Sequence, residues 1–267
     1  MRNRTFLILC LAVLILLGAA LASSCGKSES QNAHLAGEPA GGTSTGDDAD
    51  DTSDDTSADD DTVSTQPNIA IIYKYDASRA SAYGDLLAQY GFQWFSVDEQ
   101  TLPGTDLSHA DVILVDAQTQ WYLEAAAQAV DATGLPILGL GPGGMHLYDW
   151  LNLQTGFFYA NGPWFDSTMI FIIEQSAKIF LSPKDFGLNQ GDVLQIMGNP
   201  LQVWGIPIDP PASGVVPFSS VEGSDILGSI LIEQSRYMIW GFDMSAGDLN
   251  QNGADLLANC LFYLAGK

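Results

Sequence analysis

Four glycines within six positions, Gly139-Leu140-Gly141-Pro142-Gly143-Gly144, form the densest chemistry-bearing signal in this 267-residue chain. Glycine admits backbone conformations and close approaches that a Cβ forbids, so the run suits a tight turn from strand to helix. Such a turn can cradle phosphate on backbone N–H groups, or raise a nucleophile above a sheet. The spacing matches the G-x-G-x-x-G dinucleotide fingerprint. It follows the fourth expected strand rather than the first, however, and no well-placed acid follows about twenty residues on. The turn accounts for the glycines without a ligand, and no cofactor is expected. His146 comes directly after this run. Lys74, Tyr75 and Asp76 follow the first apolar run, Asp116 and Gln118 follow the third, and Asp243 follows the last. If these runs are strands, their carboxyl ends gather those groups, where open α/β sheets bind ligands. The reading is a ligand pocket of Lys74, Asp116, Gly141, Gly143, Gly144, His146 and Asp243. The bland alternative makes His146 and Asp116 cap or loop hydrogen bonders. Two carboxylates, Asp116 and Asp243, could do acid–base work only if their surroundings separate their pKa values.

Asp248-Leu249-Asn250-Gln251-Asn252-Gly253 opens like a calcium loop, with oxygen ligands at alternate positions (Asp248, Asn250, Asn252) and glycine at the turn. The twelfth position is Asn259, which cannot supply a bidentate carboxylate, so a loop with Asn252 or Gly253 capping a helix competes with it. Cys260 lies in an apolar helical pattern and reads as a small buried hydrophobe. Of the six tryptophans, Trp94 and Trp240 read as core. Trp150, Trp164 and Trp204 stand near Gly/Pro loops, either as core edges or as a platform for carbohydrate or peptide.

The elements that must position these residues alternate. Asn68–Tyr73, Phe92–Val97, Asp111–Val115 and Pro136–Leu140 are strand-length apolar runs without polar alternation. Helical patterns separate them, through Tyr83 to Tyr90 and over Trp121–Ala132, and a helix over His146–Leu151 follows. Apolar strands with intervening helices predict a mostly parallel sheet covered on both faces. The second half is richer in strands: Met169–Ile173, Gly191–Met197, Gly214–Phe218, Ile226–Glu233 and Tyr237–Phe242. A closing helix runs from about Gly253 to Leu264.

The glycine turn, the ending Tyr237–Asp243 with Gly253 and Leu256–Asn259, and the stretch Ser182-Pro183…Phe186-Gly187-Leu188 together resemble class I glutamine amidotransferase-like domains. The resemblance implies a flavodoxin-like α/β sheet, here with extra strands or hairpins in the C-terminal half. It also implies a nucleophile elbow of the form G-[IL]-C-x-G-x-Q. Gly141 stands where the family's Cys belongs, and Asp243-Met244-Ser245 where His-Pro-Glu belongs. All three triad positions are vacant, and the elbow reads as degenerate, that of a pseudoenzyme without amidotransferase activity.

The N-terminus reads as an address. Arg2 and Arg4 precede an apolar run from Phe6 to Leu17, the layout of a signal peptide over residues 1–24. Leu21-Ala22-Ser23-Ser24-Cys25 resembles a lipobox, with Cys25 the lipidation site, although the leucine sits four residues before the Cys and Ala20-Leu21-Ala22 is itself a cleavage signal. Lipid anchoring, with Gly26 favouring the outer membrane, is the expectation; ordinary secretion and an uncleaved anchor are its alternatives. Residues 25–66 hold eleven acids against Lys27 and read as a disordered acidic tether, with calcium binding by Asp47–Asp61 as the competing use. The domain expected over residues 67–267 carries twenty-one acids against six basic residues, within a net charge of −23 for the chain. That charge repels phosphate backbones, so nucleic acid is excluded as a partner. The sequence leads to an envelope lipoprotein with a non-catalytic domain that binds a small molecule or an envelope protein. A carboxylate-dependent hydrolase of envelope glycans or amides is the alternative.

Overall fold

The apolar runs of the first half become strands β1 (Asn68–Tyr73), β2 (Gln93–Asp98), β3 (Val112–Val115) and β4 (Ile137–Leu140) in a computed structural model that describes residues 66–156 and 160–267, and the backbone alone of 161–165. The signal peptide, Cys25 and all of the tether except Gln66 lie outside the described residues, as does the side chain of Trp164. Strand order begins β2-β1-β3-β4, all parallel, and β11 (Tyr237–Trp240) adds in parallel beside β4. This is the flavodoxin order, with β11 as the fifth strand.

Every residue of β3, β4 and β11 is buried, which is why these strands show no polar alternation. Helices α1 (Ala77–Ala88) and α4 (Gln251–Leu264) cover one face, with Ile69, Ile71, Leu114 and Trp240 packed beneath them. Helices α2 (Glu124–Ala132) and α3 (Gly141–Trp150) cover the other, over Ile72, Ile113, Val115 and Ile239. Alternate residues of each strand thus serve opposite faces.

Beyond β11 the sheet turns antiparallel. β10 (Leu227–Glu233) pairs with β11, followed by β9 (Val215–Val221), β6 (Met169–Ile172) and β7 (Val193–Gln195). Two strands that the sequence pattern did not predict, β5 (Asn161–Ser167) and β8 (Leu201–Pro207), pair with each other, and β8 also joins β10. Gly162, Pro163, Gly205 and Pro207 interrupt the apolar pattern that would have marked them.

Three helix starts differ from expectation. α3 begins at Gly141 rather than His146, because Pro142 fits the first turn of a helix, where no N–H is required. α2 begins at Glu124 rather than Trp121, which leaves 118–123 as an edge loop. α4 begins at Gln251, since Asn250, rather than Asn252 or Gly253, is the cap: its side chain accepts from the Gly253 N–H.

Candidate functional site

The loops at the carboxyl ends of β1, β3, β4 and β11 meet around the glycine turn. Gly139 and Gly144 let α3 lie directly on β4: a Cβ on Gly144 would stand 2.4 Å from the Gly139 Cα. Gly143 donates its N–H to the Ala117 carbonyl at 2.8 Å, and a Cβ there would meet the Asp116 carbonyl oxygen at 2.1 Å. These glycines therefore serve close backbone packing. Gly141 has φ +41°, the left-handed side of the map, and a Cβ on it would sit 2.6 Å from the Phe242 carbonyl oxygen and 3.0 Å from the Asp243 Cα. The loop after β11 thus fills the space into which a side chain at position 141 would project.

Asp116 is wholly buried beside this turn and engaged by Arg79, from the first turn of α1. Arg79 Nε donates to Oδ2 at 2.9 Å and Nη2 to Oδ1 at 2.8 Å, a bidentate charge-assisted pair. The same Nη2 donates to the Met244 carbonyl at 2.9 Å, which also accepts from the Tyr83 hydroxyl. Arg79 thereby ties β3 to the loop after β11. Asp243, in that loop, accepts from Gln118 Nε2 at 2.7 Å. Burial holds its carboxyl above the ordinary range, opposed by the Gln118 hydrogen bond and by Arg79.

Lys74 does not join this group. It points toward β2, where Nζ meets Glu99 Oε2 at 2.6 Å, with both side chains buried. The Tyr122 ring lies 4.0 Å from the ammonium and the Tyr75 ring 5.5 Å. Glu99 Oε1 has no hydrogen-bond partner among the described residues. Tyr75 holds a positive φ of 69° and is 68% exposed, and its hydroxyl is pushed up to about 12 by a hydrogen bond with Tyr122 together with partial desolvation.

His146 lies one turn into α3 and lines a cleft of about 360 Å³ with Trp121, Asp149 and Trp150. Trp121 Nε1 donates to the Gly143 carbonyl at 3.0 Å, and Trp150 Nε1 donates to the Trp121 carbonyl at 3.2 Å. The seven sequence-derived positions thus divide. Gly141, Gly143, Gly144, Asp116 and Asp243 converge, His146 faces an adjoining cleft, and Lys74 belongs to a separate buried pair. Arg79 and Glu99, the partners that decide the chemistry of Asp116 and Lys74, were missed. The only signal for Arg79 was its rarity, as one of six basic residues in the domain.

The residues of the remaining motifs make hydrogen bonds within the fold. Asp248 accepts from the Ser245 N–H and hydroxyl, Asn250 caps α4, and Asn252 Nδ2 donates to the Gln195 carbonyl. Among the described residues no group of three His, Cys, Asp or Glu side chains is placed to hold a metal ion. Cys260 is buried, and burial pushes its thiol up, away from the reactive thiolate. Trp240 is fully buried, Trp94 and Trp204 are partly so, and Trp150 is exposed. A wider, mainly apolar cleft of about 600 Å³ lies on the antiparallel half, between Phe171, Ile208, Pro217 and Asp225.

No family model and no curated protein matches the sequence. Among solved structures, the chain is similar to a Thermoplasma acidophilum protein described as a candidate component of GMP synthase, with a TM-score of 0.51 at 14% identity over 75% of this chain and 95% of that one. PurLQS from Thermotoga maritima matches with a TM-score of 0.49 at 15% identity, over 74% of this chain and 99% of that one. A glutamine amidotransferase from Thermotoga maritima matches at 0.44 and 10% identity, over 66% and 75%. At such identities the likeness is one of fold alone: the chain shares the α/β fold of the Thermoplasma protein, and no activity comes with that likeness.

Proposed function

We propose that the chain is an exported, lipid-anchored envelope protein whose folded domain binds a ligand or a protein partner without catalysing a reaction on it. One observation carries the non-catalytic part. The position where an elbow raises its nucleophile holds glycine, and the backbone of Phe242 and Asp243 closes the space above it. The elbow is degenerate twice over, in the missing side chain and in the missing room for a substrate carbonyl. Asp116 offers no replacement base, because both its oxygens accept from Arg79. With Asp116 so engaged, the pair Asp116–Asp243 does not offer the two free carboxylates that a paired-carboxylate hydrolase requires. The anchoring part rests on the sequence Leu21–Cys25 after an Arg-flanked apolar run.

Two measurements test this reading. The native protein, incubated with glutamine and separately with a glutamine-analogue electrophile, is expected to release no ammonia above background and to form no adduct. A stoichiometric adduct at one residue would overturn the non-catalytic reading. Cells expressing the full chain are expected to incorporate labelled palmitate and retain the protein in the membrane fraction, and Cys25→Ser is expected to lose both. A soluble, unlabelled wild type would replace anchoring by secretion.

A further inference from the structure

We propose that the edge beside the glycine turn binds a neutral saccharide chain, whose rings stack along Trp150, Tyr122 and Tyr75. The inference rests on the binding reading above and names its ligand class. Among the described residues, the aromatic side chains that are exposed rather than half-buried or buried are Tyr75 (68%), Tyr122 (60%) and Trp150 (42%). All three lie on this one edge, in the loops after β1 and β3 and at the end of α3. They are contiguous: Trp150 Nε1 bonds the carbonyl of Trp121, the residue preceding Tyr122, and the Tyr122 and Tyr75 rings both lie against the Lys74 ammonium, at 4.0 and 5.5 Å.

The rings are also held in place. Tyr122 rests on the Lys74 ammonium at 4.0 Å and its hydroxyl donates to Gln120. Tyr75 is presented by a left-handed backbone that a side chain-bearing residue rarely adopts. Rings fixed before binding lose little freedom when a ligand stacks on them. The face of a pyranose is a row of C–H bonds that suits an aromatic face, while its hydroxyls need polar neighbours. Those neighbours line the adjoining cleft, where His146 and Asp149 stand between Trp121 and Trp150 in about 360 Å³, within the range of ligand pockets.

Charge decides against the other ligand classes. An anionic ligand would need a free cation here, yet Lys74 is paired with Glu99 and Arg79 with Asp116. A quaternary ammonium would need rings converging on a point. Here the point on which the Tyr122 and Tyr75 rings converge is already held by the Lys74 ammonium. A neutral chain of sugar rings matches the exposed faces of Tyr75, Tyr122 and Trp150.

The test is calorimetric titration of the purified full chain with chito-, cello- and malto-oligosaccharides of one to four units, with choline and a polyanionic saccharide alongside. One neutral series is expected to bind, more tightly with each added unit, and choline and the polyanion are expected not to bind. Trp150→Ala and Tyr122→Ala are each expected to weaken binding about tenfold, the loss of one stacked ring. Both variants should stay folded, their melting temperatures lowered only by loss of the Trp150–Trp121 hydrogen bond and the Tyr122–Lys74 contact. Ile226→Ala, exposed on the antiparallel half, should bind like wild type. Failure of all neutral series, binding indifferent to Trp150→Ala and Tyr122→Ala, or tight binding of choline overturns the proposal. The two readings fail separately. Chromatography of the bound saccharide showing cleavage would keep the ligand class and overturn the non-catalytic reading. Absence of any saccharide binding in a protein inert to electrophiles would do the reverse.

Discussion

Replacing Gly141 with alanine isolates the feature on which the non-catalytic reading depends. Two penalties meet at that residue. Its φ of +41° lies where an L side chain is strained, at about 1–2 kcal/mol. Its Cβ would stand 2.6 Å from the Phe242 carbonyl oxygen, an overpacking that costs about 1–3 kcal/mol more. The middle of the combined range is about 3.5 kcal/mol, and a domain of about 200 residues shifts its Tm by about 2–4 °C per kcal/mol, so Gly141→Ala should melt about 7–14 °C below wild type. Three companions separate the causes. Gly134 has φ +71° and open space around its Cβ position, so Gly134→Ala suffers strain alone and should fall about 2–8 °C. Gly144→Ala meets the Gly139 backbone without a positive φ, and so measures the clash. Gly104 has open space and no positive φ, so Gly104→Ala should melt like wild type. Differential scanning calorimetry at neutral pH reads all four. If Gly141→Ala melts with Gly134→Ala, the loop after β11 yields to a side chain. The elbow would then be open, and the reasoning that excludes a substrate from it would fail.

Two further perturbations follow from the buried charges. Glu99→Gln leaves the Lys74 ammonium buried and unpaired, and urea unfolding should show a loss of about 3–5 kcal/mol, while Lys74→Met with Glu99→Leu should lie near wild type. A double variant as unstable as the single would mean that the pair itself holds the β1–β2 edge together. Asp243→Asn removes a carboxyl that burial raises and keeps an oxygen for Gln118. With a raised folded pKa the native state retains the proton longer than the unfolded state does. Its contribution is therefore fully present below the unfolded value near 3.8 and is lost as pH rises through the folded value. The melting temperature of Asp243→Asn minus that of wild type should be flat in acid and climb across this window. A difference independent of pH would refute the assignment.

The parallel half was legible because burial on both faces leaves an unmistakable mark: Ile71, Leu114 and Leu138 sit in runs with no polar interruption. β5 and β8 were missed because Pro163, Gln202 and Gly205 break that mark while the backbone still pairs. The gathering of Asp116, Gly141 and Asp243 was also legible, since each directly follows a strand of a parallel sheet and must reach the same edge. What each does there was not. Asp116 is neutralised by Arg79 because α1, packed on β1 and β2, brings it to the end of β3, and Gly141 is closed off by Phe242 because β11 lands beside β4. Both facts are long-range docking, to which local periodicity is blind. The Lys74–Glu99 pair escaped for the same reason: β1 and β2 bring it together only by pairing side by side.

β11 is parallel to β4 on one side and antiparallel to β10 on the other. A chain that emerges from its N-terminus first must therefore wait with an open β4 edge, Ile137–Leu140, until Tyr237–Trp240 arrives to close it. Strands β5 to β10 come out in the interval and can pair among themselves, but they cannot attach to the parallel half without that late segment. Vectorial synthesis thus holds an apolar, hydrogen-bond-hungry edge unsatisfied through most of the domain's emergence, the situation in which nascent chains aggregate or recruit holding factors. A truncation that removes Tyr237 onward should leave two sheet fragments rather than a smaller domain. The segment from Tyr237 onward then acts as the clasp that turns a growing chain into one folded body.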